Sequence, residues 1–287
     1  MIVDSQSFLA RGQFVDLACG LRTHVIEIPG SDAAAKTVVF VHGSGPGASG
    51  WSNFQANIQP FADAGHRVIA FDLPGYGDTD KPTDAIYTLD YFVTHLRDLL
   101  DYLAVDQAIL VGNSLGGAIS LGLALAHPTR VEKLILMATG GVEEREVYFA
   151  MSGIQAMMAY PMGSPTFTRE VLGTLLEQLV FDKRHVTEQL ISQRWHILQQ
   201  QNAQVLATMQ IPNLTSRLKE INCPVLAFWG RDDKFCPVSG ALTLQSECQQ
   251  VKVITLSQCG HWVMVEHPEM FNRECLEFVE NKQHGAH

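Results

Sequence analysis

Short apolar runs alternate with helical patterns through the first half of the chain, and this alternation restricts the fold more than any other feature. The runs cover residues 37–41, 67–71, 108–111 and 134–137. Helical patterns fall at residues 90–103 and 116–126. Continuous apolar runs separated by helices are typical of parallel strands that are buried on both faces of a sheet. The first half is therefore predicted to be an α/β domain.

The pattern changes after Gly141. Residues 143–215 lack the alternation and are rich in Met, Gln and Leu at helical spacing. Apolar runs return at residues 224–229 and 251–256. We therefore predict a core made of residues 1–142 and 216–287. A helical cap of residues 143–215 is inserted into it after the fourth of these parallel strands.

Composition excludes several classes of protein. Of the 287 residues, 46% are apolar and 17% are charged, which excludes an intrinsically disordered chain. The formal net charge is −10. An acidic chain binds nucleic acids and anionic membrane surfaces poorly, because both carry negative charge. We expect neither a nucleic-acid nor a membrane partner.

Targeting and metal signals are weak in this sequence. The first 20 residues contain no apolar run flanked by basic residues, which predicts no signal peptide. The most apolar stretch, residues 117–126, has about half the ~20 residues that cross a bilayer. The six cysteines show no CxxC or CxxH spacing, which disfavours zinc. We expect a cytoplasmic protein with reduced thiols.

The strongest chemical signal is the segment GNSLG at residues 112–116. It follows an apolar run and opens a helix, which is the strand–turn–helix context of a nucleophile elbow. Glycines are needed at both ends because side chains there would collide with neighbouring backbone. The turn would present the Ser114 hydroxyl at the carboxyl edge of the sheet. The alternative is a tight turn with a capping serine.

A serine hydroxyl is a weak nucleophile and needs a base that a third group orients. Asp233 follows the run at 224–229, and His261 follows the run at 251–256 after a short loop. Both therefore lie at carboxyl ends of predicted parallel strands, on the same edge as Ser114. The order Ser, Asp, His along the chain matches one known arrangement of the catalytic triad.

Two residues compete with these assignments. Asp232 precedes Asp233, but the usual Gly-x-x-Asp spacing selects Asp233 and leaves Asp232 as a loop or capping residue. His42 is the main alternative to His261, yet it precedes the nucleophile in the chain. Four other histidines lie on helical patterns and are expected at the surface or in packing: His95, His127, His185 and His196.

A glycine-rich turn, HGSGPG at residues 42–47, follows the first apolar run. Such a turn can direct backbone N–H groups towards an oxyanion. We predict that the Ser44 and Leu115 N–H groups form the oxyanion hole, with Gly43 or Gly45 as alternatives one residue away. A phosphate-binding loop is disfavoured because the GxxxxGK[ST] pattern is absent.

Five segments together resemble the meta-cleavage product hydrolases: HGSGPGASGWSNF (42–54), DLPGYGDTDKP (72–82), GNSLGG (112–117), GRDD (230–233) and GHWVMVEHPEMFNRECLEF (260–278). These are α/β-hydrolases that cleave a carbon–carbon bond in 2-hydroxy-6-oxohexa-2,4-dienoates during bacterial breakdown of aromatic rings. The resemblance covers nearly the whole core and implies a mostly parallel sheet with helices on both faces and an inserted helical cap. Residues 147–176 match weakly, so the substituent on the substrate is not readable.

The resemblance implies further substrate contacts. Asn53 and Asn113 would lie near the dienol carboxylate, and Gly43 and Gly45 are also expected to bind the substrate. In the cap segment LVFDKRHVTEQLISQRW (179–195), Arg194 would bind that carboxylate or act as an electron sink. Trp262 would pack over the substrate. Each has a structural alternative: a solvated or salt-bridged Arg194, a helix-capping Asn53 and a core Trp262.

A small basic cluster, Lys183, Arg184 and His185, lies ten residues before Arg194. It either attracts anions to the mouth of the site or is a solvated helix start, and the solvated interpretation is favoured. The resemblance implies no cofactor and no metal. It also favours a homo-oligomer, a dimer or larger.

The implied reaction begins with ketonisation of the dienolate, followed by attack of Ser114, or of a water activated by His261 and Asp233, on the carbon-6 carbonyl. Cleavage gives 2-hydroxypenta-2,4-dienoate and a carboxylic acid. The acyl-Ser114 and gem-diol routes both stay open. A carboxylesterase with the same triad is the first alternative, and a non-catalytic ligand receptor is a remote one. Enzymes with an Asp nucleophile are disfavoured because Ser114 occupies the elbow.

Overall fold

The computed structural model describes residues 12–32 and 35–281, and an eight-stranded sheet forms its centre. The strands are β1 (Gln13–Asp16), β2 (Arg22–Ile28), β3 (Thr37–Val41), β4 (Arg67–Phe71), β5 (Ala108–Asn113), β6 (Val131–Met137), β7 (Val225–Gly230) and β8 (Val251–Leu256). Their order in the sheet is β1-β2-β4-β3-β5-β6-β7-β8. Strands β3 to β8 are parallel, whereas β1 pairs antiparallel with β2, and β2 with β4.

All six apolar runs in the sequence form strands. Three bounds differ from expectation: β5 extends two residues further, β6 begins three residues earlier, and β7 is displaced by one residue. The antiparallel strands β1 and β2 were not predicted. They lie at one edge and carry polar residues such as Arg22 and Glu27, so they lack the continuous apolar run of a buried parallel strand.

The helices are α1 (Gly50–Phe54), α2 (Ile58–Asp63), α3 (Leu89–Tyr102), α4 (Leu115–Ala126), α5 (Arg145–Ala150), α6 (Ser152–Ala159), α7 (Arg169–Glu177), α8 (Glu188–Leu198), α9 (Gln204–Thr208), α10 (Ser239–Glu247), α11 (Val263–Glu266) and α12 (Pro268–Glu280). They cover both faces of the sheet. In β5, Leu110 packs into one buried apolar cluster, while Ile109 and Val111 pack into another. The sheet is therefore buried on both faces, as the continuous apolar runs predicted.

Five helices, α5 to α9, lie between β6 and β7, where the sequence predicted a cap. The chain enters and leaves this helical segment at one place. Leu214 N donates to Gly141 O at 2.7 Å, and Thr215 Oγ1 donates to Val142 O at 3.1 Å. Because the two ends are joined by hydrogen bonds, the helical segment is inserted without interrupting the sheet.

Within the described ranges, no helix combines the length and the apolar character that a membrane crossing requires. The expectation about a signal peptide concerns residues 1–20, and residues 1–11 lie outside the described part of the chain. All six cysteines are free thiols.

Candidate active site

The turn between β5 and α4 holds Ser114 in a strained conformation. Its φ is 55° and its ψ is −114°, a backbone conformation that residues other than glycine rarely adopt. A Cβ on Gly112 would lie 2.5 Å from Gly116 O, and one on Gly116 would lie 1.9 Å from Val41 O. Both positions therefore require glycine, because neighbouring backbone atoms fill the space that a side chain would need. The turn has the local geometry that the sequence predicted for a nucleophile elbow.

His261 and Asp233 form a buried pair at the carboxyl ends of β8 and β7. His261 Nδ1 donates to Asp233 Oδ2 at 2.7 Å. The other oxygen, Asp233 Oδ1, accepts the N–H groups of Phe235 at 2.7 Å and Cys236 at 3.0 Å. The carboxylate is therefore fixed on both sides. It keeps the proton of a neutral His261 on Nδ1, which leaves Nε2 as the basic nitrogen.

Asp232 has a different neighbourhood from Asp233. Its Oδ2 accepts the N–H groups of Gln258 at 2.8 Å and Cys259 at 3.4 Å, and its own N–H donates to Cys259 O at 3.0 Å. Asp232 thus holds the loop that leads to His261. These contacts agree with the prediction that Asp232 is a loop or capping residue.

His42, the alternative base, uses both ring nitrogens inside the protein. Nδ1 donates to Gly43 O at 2.7 Å, and Nε2 accepts the Leu73 N–H at 2.9 Å. Burial lowers the pKa of His42 to about 4, so the ring is neutral at pH 7. His42 therefore supports the glycine-rich turn and has no nitrogen left for a substrate proton.

The glycine-rich turn lies directly against the elbow. A Cβ on Gly43 would lie 3.2 Å from Ser114 Cβ. In the described part of the chain, neither the Ser44 nor the Leu115 N–H donates a hydrogen bond to another residue. Gly45 has a φ of +126°, which turns the chain after Ser44. Both amides proposed for an oxyanion hole are thus available near Ser114.

Arg194 reaches from α8 into a chain of buried amides. Its NH2 group donates to Asn53 Oδ1 at 2.7 Å. Asn53 Nδ2 then donates to Asn113 Oδ1 at 3.2 Å, and Asn113 Nδ2 donates to Met137 O at 3.2 Å. All three predicted contact residues are buried. This chain of hydrogen bonds connects the helical segment to the residue that precedes Ser114.

Arg194 is 1% exposed, and its guanidinium lies 4.7 Å from the ring centroid of Trp262. Its NH1 group donates to Pro46 O at 3.3 Å, while Nε has no hydrogen-bond partner. No ion pair among residues 12–32 and 35–281 includes Arg194. Burial lowers its pKa to about 9, which leaves the side chain charged at pH 7. A solvated or salt-bridged Arg194 does not agree with these contacts.

Two other structural alternatives can be compared with the structure. Asn53 lies inside α1, and the residue that caps this helix is Ser49, whose side chain accepts the Ser52 N–H. Asn53 is therefore not a helix cap. Trp262 is 2% exposed, and it packs in the core beside α12 and also stacks on Arg194. Its core position is observed, and its packing over the substrate stays a prediction.

The basic cluster does not join the site. The Arg184 side chain is 90% exposed and pairs with Asp182, and Lys183 pairs with Glu177. These contacts agree with the solvated interpretation. His185 ends the same short 3-10 turn.

Sequence reasoning missed three neighbours of the predicted triad. The Phe235 ring lies 5.2 Å from the His261 ring, and the buried Cys236 donates its N–H to Asp233 Oδ1. The third is Glu266, whose carboxylate binds the backbone beside His261. Phe235 and Cys236 follow the motif GRDD after one intervening residue, and Glu266 lies within the quoted segment 260–278. Their proximity to GRDD and GHW is the signal that could have drawn attention to them.

Comparisons with known proteins agree with this geometry. The model of the alpha/beta hydrolase family matches residues 38–274. Over 268 residues the chain is 37% identical to a 2-hydroxy-6-oxononadienedioate/2-hydroxy-6-oxononatrienedioate hydrolase of Paraburkholderia phymatum, covering 90% of this chain and 91% of that protein. It is 35% identical to a 2-hydroxy-6-oxo-6-phenylhexa-2,4-dienoate hydrolase of Comamonas testosteroni, covering 86% and 88% of the two chains.

A solved structure shows the same similarity. The meta-cleavage product hydrolase of Pseudomonas fluorescens aligns with a TM-score of 0.82 and 27% identity. The alignment covers 94% of this chain and 98% of that one. The similarity therefore includes the helical segment between β6 and β7 as well as the sheet.

Proposed function

Because this chain belongs to the meta-cleavage product hydrolases of the alpha/beta hydrolase family, we propose that it hydrolyses a carbon–carbon bond in a 2-hydroxy-6-oxohexa-2,4-dienoate. The products are 2-hydroxypenta-2,4-dienoate and a carboxylic acid. The fold predicted from the sequence, a mostly parallel sheet with helices on both faces, is confirmed.

In this proposal Ser114 is the nucleophile, His261 the general base and Asp233 the residue that orients His261. The buried hydrogen bond between His261 and Asp233 supports the two latter roles. The strained turn at Ser114 supports the first. The N–H groups of Ser44 and Leu115 stabilise the oxyanion by donating hydrogen bonds to it. This role is supported by the fact that neither group donates to another residue in the described chain.

The buried Arg194 is the observation that carries the choice of substrate. A buried cation without a counter-charge is unfavourable, and a substrate carboxylate would supply that charge. Asn53 already positions the guanidinium, and Trp262 covers its face. The dienoate carries such a carboxylate, whereas a simple ester does not. Arg194 therefore favours the dienoate over an ester substrate.

The reaction follows from these positions. Ketonisation moves a proton to carbon 5, assisted by His261 and Arg194, and makes the carbon leaving group acceptable. Ser114, or a water activated by His261, then adds to the carbon-6 carbonyl, and the Ser44 and Leu115 N–H groups hold the oxyanion. Breaking the bond between carbons 5 and 6 returns the electron pair to the dienol fragment. Water supplies the remaining atoms of the acid.

A substrate panel on the purified protein tests the proposal. The loss of dienolate absorbance is followed for 2-hydroxy-6-oxo-dienoates with alkyl, phenyl and carboxyalkyl groups at carbon 6, beside p-nitrophenyl acetate. We expect kcat/KM for at least one dienoate to be about 100-fold or more above that for the ester, a difference of about 3 kcal/mol in transition-state stabilisation. Turnover of the ester alone would identify a carboxylesterase. Binding without turnover would identify a receptor.

We further propose that residues 143–215 act as a cap, that the protein works in the cytoplasm, and that it forms a homo-oligomer without nucleic-acid or membrane partners. The joined ends of the helical segment support the cap, and the six free thiols support a reducing compartment. Light scattering coupled to size-exclusion chromatography measures the oligomeric state directly. A mass near 31.7 kDa would reject the oligomer.

A further inference from the structure

Glu266 is a buried carboxylate that binds two separate segments of backbone. It ends α11 and is 8% exposed. Its Oε1 accepts the Gly260 N–H at 2.6 Å. Its Oε2 accepts the N–H groups of Phe181 at 2.8 Å and Asp182 at 3.0 Å. One side chain thus joins the residue before His261 to the helical segment between β6 and β7.

The loop that carries His261 needs such support. Residues 257–262 form neither helix nor strand. Three successive N–H groups before His261 donate to carboxylates instead: those of Gln258 and Cys259 to Asp232, and that of Gly260 to Glu266. Without these acceptors, the N–H groups of the buried residues Cys259 and Gly260 would be left unpaired, which is unfavourable.

The same two segments are in contact elsewhere. Trp262 N donates to Leu179 O at 3.2 Å. A Cβ on Gly260 would lie 2.8 Å from Leu179 O and 2.9 Å from the Val180 Cα. Backbone packs directly on backbone here, so a shift of residues 179–182 moves the loop that carries His261.

The bonds to Glu266 are charge-assisted. No ion pair in the described residues includes Glu266, and its carboxylate accepts three backbone N–H groups. Burial is the main cause that raises the pKa of the adjacent Cys259 thiol, and the charge of Glu266 raises it further. An amide in place of this carboxylate would set an NH2 group against N–H donors on one of its two sides.

We propose that Glu266 is a positioning residue for catalysis: it fixes the backbone before His261 against residues 179–182 and so keeps His261 aligned with Asp233. The inference rests on the proposed role of His261 in the reaction. It assigns no contact between Glu266 and the substrate.

The test compares Glu266→Gln and Glu266→Asp with the matched control Glu269→Gln, which removes an exposed charge three residues away. The values of kcat and KM are measured for a dienoate and for p-nitrophenyl acetate, and melting temperatures are recorded. We expect E266Q to lower kcat about 10- to 100-fold on both substrates, as a misplaced catalytic group does, with KM changed less than about threefold. E266D should lie between E266Q and wild type because it keeps the charge on a shorter side chain.

A loss of kcat no larger than that of E269Q would overturn the proposal. So would a change confined to KM for the dienoate, because Glu266 would then shape only the pocket. If E266Q does not fold, the same criteria apply to E266D. If the wild-type protein cleaves only the ester, the proposed substrate fails, but the ester kinetics still test Glu266.

Discussion

The Arg194 guanidinium donates a 2.7 Å hydrogen bond to Asn53 Oδ1, although 141 positions separate the two residues in the chain. Arg194 lies on α8 and Asn53 on α1, next to the glycine-rich turn. Asn53 in turn donates to Asn113, which precedes Ser114. A ligand that binds Arg194 would therefore contact a hydrogen-bonded chain that ends beside the proposed nucleophile.

Replacement of Arg194 should separate the two substrate classes. We expect Arg194→Lys to lower kcat/KM for the dienoate about 10- to 100-fold, because Lys lacks the paired donors that fit a carboxylate. The rate for p-nitrophenyl acetate should change less than about threefold. The exposed Arg184→Lys is the matched control. Equal losses on both substrates would contradict a role in carboxylate binding.

Replacement of Ser114 tests the nucleophile. We expect Ser114→Ala to lower kcat for dienoate cleavage by about 10⁴-fold or more, since members of a triad act as a unit. The exposed Ser216→Ala serves as the control. Steady-state rates decide the matter. Retention of activity within about threefold of wild type would exclude Ser114 as the nucleophile.

The two adjacent aspartates should differ in their effects. Asp233→Asn removes the acceptor that holds His261 in the required tautomer, and we expect a loss of about 10³- to 10⁴-fold in kcat. Asp232→Asn weakens only the loop before His261, and we expect a loss of about 10-fold or less. Parallel kinetics on the two variants provide the measurement. The reverse ranking would show that Asp232 orients the base.

Two buried histidines should make the protein sensitive to acid. Burial lowers the pKa of His42 to about 4 and that of His95 to about 3, below the ~6.5 of an unfolded chain. Between these values the unfolded state binds more protons, so stability falls as the pH falls. Each histidine contributes about 1.4 kcal/mol per pH unit over most of this range.

His24 acts in the opposite direction. Burial alone would lower its pKa, but the hydrogen bond and charge of Asp72 outweigh burial and raise it. Its stabilising contribution is complete below about pH 6.5 and is lost as the pH rises through the raised pKa of the folded state. It therefore does not cancel the loss of stability at lower pH.

Urea unfolding between pH 4 and pH 7 tests this prediction. His95→Gln should reduce the slope of unfolding free energy against pH by about 1.4 kcal/mol per pH unit between pH 4 and 6. The exposed His196→Gln should leave the slope near that of wild type. An unchanged slope in the His95 variant would mean that its ring is protonated in the folded state.

Local sequence was enough for the parts of the fold that follow a local rule. The six parallel strands were predicted because each is a short, mainly apolar run, and the elbow because two glycines flank Ser114 at fixed spacing. Strands β1 and β2 were missed because polar residues interrupt them, including Asp16 in β1 and Arg22 and Glu27 in β2. Strand β2 also pairs with β4, which lies about 40 positions further along the chain.

The sequence by itself determined the order of elements and the chemical types at the strand ends, since periodicity and glycine spacing act over a few residues. It also distinguished Asp233 from Asp232 by spacing alone, and the hydrogen bond to His261 agrees with that choice. Only the tertiary structure decided that Arg194 is buried against Asn53 and Trp262, and that Glu266 joins the active-site loop to the helical segment. Burial and pairing of charges depend on which distant segments meet, and that is set by packing of the whole sheet and its helical insertion.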